Sequence, residues 1–345
     1  MATRMILAAA LAGASMAATA TAVGAAQGSL SGPAYAFETS DPACHLAKLA
    51  STGGPMPSSP ATLALRWAGY ANYELVYNGR IILLDAAFDR GSIFPPLGFL
   101  TSDITRADAI LIGHGHADHM SDAATVANRT KAIVVGAPLT TARLMSQSVD
   151  SKQIRTVTGR GGEVVELAGI RIEPVLGRHS VRDTAVTEPF EKVLQSTVAP
   201  LTQAQRDEQR TINSRGVNDP TLATEGTLTY LITLGNGLTV LFRDTAGAIT
   251  DYEQTMMQRV GRVDVAIVAL ANAYLNTLQA RNALEYVRAY RPGVFMPAHH
   301  DAPYNDLWRS TEPIFQVLKD ERPGLITISR GYREPVCIST PRRSR

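Results

Sequence analysis

Three histidines and one aspartate stand within six positions of this chain, in the segment His114-Gly115-His116-Ala117-Asp118-His119. The chain has only 7 histidines among its 345 residues, so this local density is far above chance. Neutral imidazole nitrogens and carboxylate oxygens are ligands of zinc and related divalent metals. The segment therefore predicts a metal-binding site.

The spacing of the donors indicates how they would divide between ions. The apolar run Ile110–Ile112 before the segment is typical of a buried strand. If the chain stays extended, His114 and His116 point the same way, because side chains alternate along a strand, and both can reach one ion. Asp118 and His119 are then carried around the following turn, where they can serve a second ion.

The alternative is a histidine-rich polar turn that caps a helix starting near Ser121 and Asp122. A helix cap needs one short oxygen-bearing side chain and no imidazole. This alternative leaves the three histidines without a role, and the metal site is the favoured interpretation.

Further donors follow the ends of other predicted strands. His179 ends a strand pair, Asp244 follows an apolar strand, and His299 and His300 follow the last strand before the C-terminal region. Two ions need more ligands than six residues supply, so these donors are expected to complete the site. His45 has no comparable setting and is assigned no role.

Two hairpin signals organise the elements that must position these donors. Asn78-Gly79 lies between two apolar segments, and Gly235-Asn236-Gly237 lies between another pair. After each hairpin, strands alternate with helices, which indicates two sheets packed face to face with helices outside. Further strands are predicted at 110–112, 132–135, 153–157, 164–176, 227–234, 238–242, 265–269 and 294–296, with helices at 139–145, 252–260 and around 280–287.

The N-terminus has the composition of a secretory signal peptide. Arg4 precedes a run of mainly Ala, Leu, Met, Thr and Gly that extends to Ala26, with small residues at several possible cleavage positions. We expect cleavage before Gln27 and a periplasmic or secreted protein. An uncleaved anchor is the alternative, although Ala, Thr and Gly make a weakly hydrophobic span. After cleavage no stable membrane span is expected.

Composition limits the classes of partner. The net charge is +2 and charged residues make up 19% of the chain, so no strong field favours nucleic acid. In an oxidising compartment, Cys44 and Cys337 either form a disulfide that pins the N-terminal arm to the body or remain two buried thiols. A site of cysteine ligands alone is excluded by a count of two.

The predicted organisation is a signal peptide at 1–26, an arm rich in Gly, Pro, Ser and Thr at 27–61, and a domain at 62–340. A polar insertion at 180–226 interrupts this domain. Phe190, Val193, Leu194 and Val198 fall on one helical face within it, before a charged stretch that runs to Arg215. Because the insertion follows His179 directly, it is either a lid over the site or a remote surface decoration.

The order of these motifs, from about Thr62 to Ile338, resembles the metallo-β-lactamase superfamily. The shared signature is His-x-His-x-Asp-His followed downstream by His, Asp and His. The resemblance implies an α/β fold, a four-layer αββα sandwich with a partly helical insertion and with metals at one edge of its sheets. By position it implies that His114, His116 and His179 hold one ion, that Asp118, His119 and His299 hold the second, and that Asp244 bridges them. Asp85 would support the metal-binding loop from behind.

Two shorter motifs narrow the resemblance. Trp67-Ala68-Gly69 followed by Tyr73, and Pro297-Ala298-His299, are similar to UlaG-like members such as ascorbate-phosphate lactonase and N-acyl-phosphatidylethanolamine phospholipase. A flavin-partnered di-iron enzyme would carry a carboxylate at His116. True β-lactamases typically lack the bridging carboxylate, so Asp244 favours an ester, lactone, amide or phosphodiester substrate.

The resulting prediction is an exported hydrolase that acts on a small-molecule or lipid-like substrate. Two ions, zinc first with manganese or iron as alternatives, would lower the pKa of a bridging water from about 16 towards 7 and supply hydroxide. Asp118 and Asp244 are the predicted catalytic residues, with His300 and Tyr274 as further candidate proton donors. The alternative is a secreted metal-binding or scaffold protein without turnover.

Overall fold

The computed structural model describes residues 35–180, 200–270, 276–301 and 310–339, with backbone alone for 276–279. The predicted signal peptide, the apolar helical face at 190–198 and Tyr274 lie outside the described residues. Within these ranges, no helix combines the length and the apolar character needed to cross a bilayer.

The first sheet has eight strands in the described chain, in the spatial order β1-β15-β2-β3-β4-β5-β6-β7. These strands are β1 Ala36–Phe37, β2 Thr62–Trp67, β3 Tyr73–Tyr77, β4 Arg80–Leu84, β5 Ala109–Leu111, β6 Ile133–Gly136, β7 Ile154–Thr156 and β15 Pro335–Ser339. The predicted first hairpin is present as β3 and β4. Asn78 and Gly79 join them with φ of 48° and 74°, a left-handed pair that matches the twist of a two-residue hairpin.

The second sheet has seven strands among the described residues, in the order β14-β13-β12-β11-β10-β9-β8. They are β8 Val165–Leu167, β9 Ile170–Leu176, β10 Leu228–Leu234, β11 Thr239–Arg243, β12 Val265–Ala269, β13 Val294–Ala298 and β14 Ile326–Thr327. Strands β11 to β14 pair in parallel, and β10 pairs antiparallel with both β9 and β11.

The single strand predicted at 164–176 is wrong, because the chain turns back in its middle. Ala168 and Gly169 adopt φ of 46° and 85°, and Leu167 pairs antiparallel with Ile170 across this turn. Apolar residues continue on both sides of the turn, so their alternation alone does not reveal it. Gly169 is the local signal, because glycine adopts a left-handed conformation without steric cost.

Helices cover the outer face of each sheet and produce four layers. They are α1 Ala117–Met120, α2 Ala123–Thr130, α3 Pro138–Ser146, α4 Gln203–Asn213, α5 Leu222–Glu225, α6 Asp251–Val260, α7 Asn276–Tyr290 and α8 Glu312–Glu321. Trp67 and Phe242 belong to the core between the sheets. Val126 belongs to the outer core of the first sheet, and Tyr286 to that of the second. The predicted αββα sandwich is confirmed.

The first and last strands of the described chain, β1 and β15, pair in the first sheet. Strand β15 lies between β1 and β2, and a disulfide joins Cys44 to Cys337 within β15. Of the two alternatives for the cysteines, the structure therefore contains the bridge. The buried Glu74 carboxylate also accepts hydrogen bonds from the N–H groups of Ala50 at 2.8 Å and Ser51 at 2.7 Å. Part of the segment predicted as an arm is thus tied to the first sheet.

Candidate metal centre

The donors predicted from the sequence follow strands that end at one edge of the two sheets. In the first sheet, β4 and β5 are parallel and lead to Asp85 and His114. In the second, β9, β11 and β13 run the same way and lead to His179, Asp244 and His299. Because parallel strands present their carboxyl ends at the same edge, residues far apart in the chain converge there.

The His114–His119 segment changes direction within a few residues. His116 keeps an extended backbone and directly precedes α1, whose single turn carries Asp118 and His119. Nε2 of His114 lies 3.0 Å from Nδ1 of His116, so the two rings present neighbouring nitrogens. The segment therefore sends donors in two directions, as the spacing predicts.

Three overlapping groups of donors result. Within each group the ligand atoms lie within 4.8 Å of one another. The groups are His114, His116 and His179; His114, His119 and Asp244; and Asp118, His119 and His299. All seven residues predicted as ligands are brought together, and the middle group shares one histidine with each of the others.

Burial prepares two of the histidines for metal binding. It lowers the pKa of His114 to about 3, and with the neighbouring His179 it lowers the pKa of His116. A histidine must be neutral to offer a nitrogen lone pair to a metal. His114 and His116 therefore carry the protonation state that a ligand requires.

His119 is held by the carboxylate behind it. Its Nδ1 lies 2.7 Å from Oδ2 of Asp85, which also accepts the N–H of Gly113 at 2.9 Å through Oδ1. Burial lowers the pKa of His119, but Asp118 and Asp244 outweigh burial and raise it to about 10. His119 is therefore protonated while no cation is bound; Asp85 holds the proton on Nδ1, and a divalent cation would take the place of the proton on Nε2.

Asp244 provides the test of whether a metal fits. It is fully buried, its Oδ2 lies 2.6 Å from Nδ1 of His114, and its Oδ1 has no hydrogen-bond partner among the described residues. Burial opposes its ionisation, but His114 and His119 lower its pKa to about 2. A buried carboxylate oxygen without a partner is costly, and a divalent cation would satisfy it. The donor set therefore fits divalent metal ions.

Gly113 makes room for this carboxylate. A Cβ at Gly113 would lie 2.1 Å from Cγ of Asp244, which is closer than real side chains approach. We expect Gly113→Ala to weaken zinc binding by at least about 10-fold, because the carboxylate must move. Calorimetric zinc titration measures this, with Gly324→Ala as control, since a Cβ there meets no atom within 4 Å. Equal affinities in both variants would contradict this role.

Asp118 and His299 form the open side of the centre. Nε2 of His299 lies 3.1 Å from Oδ2 of Asp118, and these side chains are 27% and 39% exposed. Burial opposes the ionisation of the Asp118 carboxyl, but His119 and His299 hold the pKa of this carboxyl well below its usual range. His300 instead stacks on Trp67, with ring centroids 4.0 Å apart, and belongs to none of the donor groups.

Sequence reasoning missed a cluster beside His299. The Asp301 carboxylate accepts the backbone N–H of Tyr70 at 3.1 Å, the Tyr332 hydroxyl at 2.9 Å and the guanidinium of Arg90. The Tyr70 ring lies 5.6 Å from the His299 ring. The available signal was an aspartate directly after the histidine pair, together with a tyrosine in the Gly69 turn.

The described part of the predicted insertion contacts the metal-binding loop. The N–H of Val217 donates to the carbonyl of Gly115 at 2.7 Å, and Arg215 pairs with Asp122 at 3.4 Å. Val217 and Arg215 thus lie against the metal-binding loop, so this part of the insertion is not a remote surface decoration.

Comparison with known proteins identifies the family. The family model described as "Beta-lactamase superfamily domain" matches residues 80–300, which include every predicted ligand. The chain belongs to the metallo-β-lactamase superfamily. The fold resemblance inferred from the histidine and aspartate motifs is thereby confirmed.

Curated relatives of this superfamily member are named as metal-dependent hydrolases. A "UPF0173 metal-dependent hydrolase" of Herpetosiphon aurantiacus is 33% identical over 121 residues, 35% of this chain and 48% of the relative. The chain thus spans about half the length of that relative. A protein of the same description from Thermoplasma acidophilum is 22% identical over 256 residues, 74% of this chain and 90% of the relative.

Solved structures show the same fold. A metallo hydrolase of Ignicoccus hospitalis superposes with a TM-score of 0.56 at 15% identity, covering 81% of this chain and 100% of that protein. A possible metal-dependent hydrolase of Veillonella parvula gives a TM-score of 0.53 at 13% identity, covering 80% and 99%. At these identities the likeness concerns the fold alone.

Proposed function

We propose that this protein is an exported hydrolase with two divalent metal ions, acting on an ester, lactone, amide or phosphodiester. The position of Asp244 carries the proposal. Its group shares His114 with one outer group and His119 with the other, so the carboxylate lies between two sets of donors. A bridging carboxylate between two cations is the arrangement of two-metal hydrolases.

The ligands at this centre would divide between two ions. His114, His116 and His179 would hold one ion, Asp118, His119 and His299 would hold the second, and the Asp244 carboxylate between them would be shared. Two bound cations would lower the pKa of a water and polarise the substrate oxygen. Zinc suits the nitrogen-rich set best, and manganese and iron also fit mixed nitrogen and oxygen donors.

Asp118 is placed to handle protons. Its carboxylate is half-buried on the open side and hydrogen-bonded to His299. In the proposed reaction, water adds to the acyl carbon or phosphorus and the bond to the leaving oxygen or nitrogen breaks. The Asp118 carboxylate takes the proton of the water, whose pKa the bound cations would lower, and passes it to the leaving atom. The products are an acid and an alcohol or amine, and for a lactone the acid and the alcohol belong to one molecule.

The chemistry of the surroundings supports export. Disulfides persist in oxidising compartments, and one joins Cys44 to Cys337. Together with the composition of residues 1–26, this favours a periplasmic or secreted protein. N-terminal sequencing of the mature protein should give a sequence that begins at Gln27.

The modest net charge of +2 supports a small-molecule or lipid-like substrate over nucleic acid.

A substrate panel on purified protein tests the proposal. Lactones, carboxylic esters, amides and phosphodiesters are assayed with the metal-loaded protein, after chelation, and after zinc or manganese is restored. We expect turnover of at least one class, lost on chelation and regained with metal. A loaded protein that turns over none of them would support the non-catalytic metal-binding alternative.

A further inference from the structure

Tyr70 is fixed beside the candidate metal centre by contacts to its backbone. Its carbonyl accepts hydrogen bonds from the N–H of His299 at 2.7 Å and from the indole nitrogen of Trp67 at 2.8 Å. Its N–H lies 3.1 Å from both oxygens of the buried Asp301 carboxylate. The same residue therefore contacts a predicted ligand and the cluster behind it.

These contacts hold Tyr70 in a conformation that aromatic residues rarely adopt. Its φ is 45°, in the left-handed region. Strain of this kind persists where the surroundings impose it, and it is common at functional sites. Asp85 and His299, with φ of 59° and 52°, are left-handed at the same edge, and both belong to the centre. The strain places the Tyr70 ring beside His299.

The ring itself is packed on several sides. Phe94 meets it edge-on with centroids 4.9 Å apart, and the guanidinium carbon of Arg90 lies 5.3 Å from its centroid. Only 9% of Tyr70 is exposed. Packing of this kind fixes where the hydroxyl points, so a group bound at that point would meet a preorganised donor.

The Tyr70 hydroxyl differs from those of the other buried tyrosines. Each of the others in the described chain has a hydroxyl hydrogen bond, namely Tyr73, Tyr77, Tyr230, Tyr286 and Tyr290. The Tyr70 hydroxyl makes none with any described residue, and burial together with the charge of Asp118 raises the pKa of this phenol. Buried tyrosine hydroxyls normally find a partner. The Tyr70 oxygen is not one of the fully buried atoms that lack a partner, so a group bound at the centre can reach it.

We propose that Tyr70 contacts the substrate, donating a hydrogen bond from its hydroxyl to the carbonyl or phosphoryl oxygen that gains negative charge during hydrolysis. This inference rests on the proposed function. No proton leaves the phenol, because its contribution is a hydrogen bond that strengthens as charge develops. Removing one such donor typically lowers turnover by about 100-fold to 1000-fold.

The test compares Tyr70→Phe with Tyr77→Phe in the metal-loaded protein. Tyr77 ends β3 at the opposite hairpin, where its hydroxyl accepts the N–H of Asn236 at 3.0 Å. With p-nitrophenyl acetate and bis(p-nitrophenyl) phosphate as probes, we expect Tyr70→Phe to lower kcat about 100-fold. KM should change less than about 3-fold, with metal content and melting temperature unchanged. Tyr77→Phe should lower the melting temperature and keep kcat.

Two results would overturn the role of Tyr70. One is a kcat of Tyr70→Phe within about 3-fold of wild type for both probes. The other is loss of bound metal in this variant, which would make Tyr70 a structural support. If wild type turns over neither probe, calorimetric titration with inorganic phosphate tests whether Tyr70 contacts a bound group. If phosphate binds Tyr70→Phe at least about 10-fold more weakly than wild type, the Tyr70 contact is supported although the proposed function fails. Equal phosphate affinity in the two proteins would refute the contact.

Discussion

Asp244→Ala is expected to lower kcat by at least about 1000-fold on any substrate that the wild-type protein turns over. The carboxylate is fully buried between His114 and His119, and its removal takes away the carboxylate of the group between the two outer groups. Asp244→Asn should lose nearly as much, because an amide keeps the shape but carries no negative charge. Steady-state kinetics with metal in excess measures both variants.

A surface aspartate provides the control. Asp320 lies on the exposed side of α8, so Asp320→Ala should leave kcat within about 2-fold of wild type. Circular dichroism and metal analysis of each variant separate loss of chemistry from loss of fold. If Asp244→Ala retained wild-type turnover, the observed hydrolysis would not arise at this centre.

Removing the disulfide should have the largest effect on stability. Cys44 and Cys337 are separated by 293 positions in the chain, so their bond restricts nearly the whole unfolded domain. We expect Cys44→Ser combined with Cys337→Ser to lower the free energy of unfolding by about 2–5 kcal/mol. The bridge also holds β15, which lies between β1 and β2 in the first sheet. Urea titration measures the difference.

Reduction of the wild-type protein should produce the same loss. A reducing agent is expected to shift the wild-type urea midpoint down to that of the double variant and to leave the double variant unchanged. Turnover at low temperature should persist in both, because neither cysteine belongs to the donor groups. An unchanged midpoint in the double variant would show that the bridge adds no stability.

The positions of the donors were largely predictable from the sequence. His114, His179, Asp244 and His299 each follow a predicted strand, and polar donors at the ends of neighbouring strands converge at one edge of a sheet. The two hairpin signals indicate two sheets with helices outside, and the family resemblance implies the same four-layer sandwich. Local patterns were sufficient here because each donor is placed by the strand directly before it.

Other features depend on information that residue types do not carry. The turn at Ala168 was missed because apolar residues continue through it, and the pairing of β15 with β1 and β2 joins distant parts of the chain. Residue types do not decide whether Cys44 and Cys337 pair, because their contact also joins distant parts of the chain. Tyr70 escaped notice because its significance lies in a strained backbone and a hydroxyl without a partner in the described chain.

The metal content of the folded protein tests the central claim most directly. Protein saturated with zinc, then freed of excess metal by gel filtration, is measured by elemental analysis against protein concentration. A dinuclear centre predicts about two bound ions per chain, and this number should be lower in Asp244→Ala. A folded wild-type protein that holds no zinc, manganese or iron after saturation with each would contradict the proposed hydrolase.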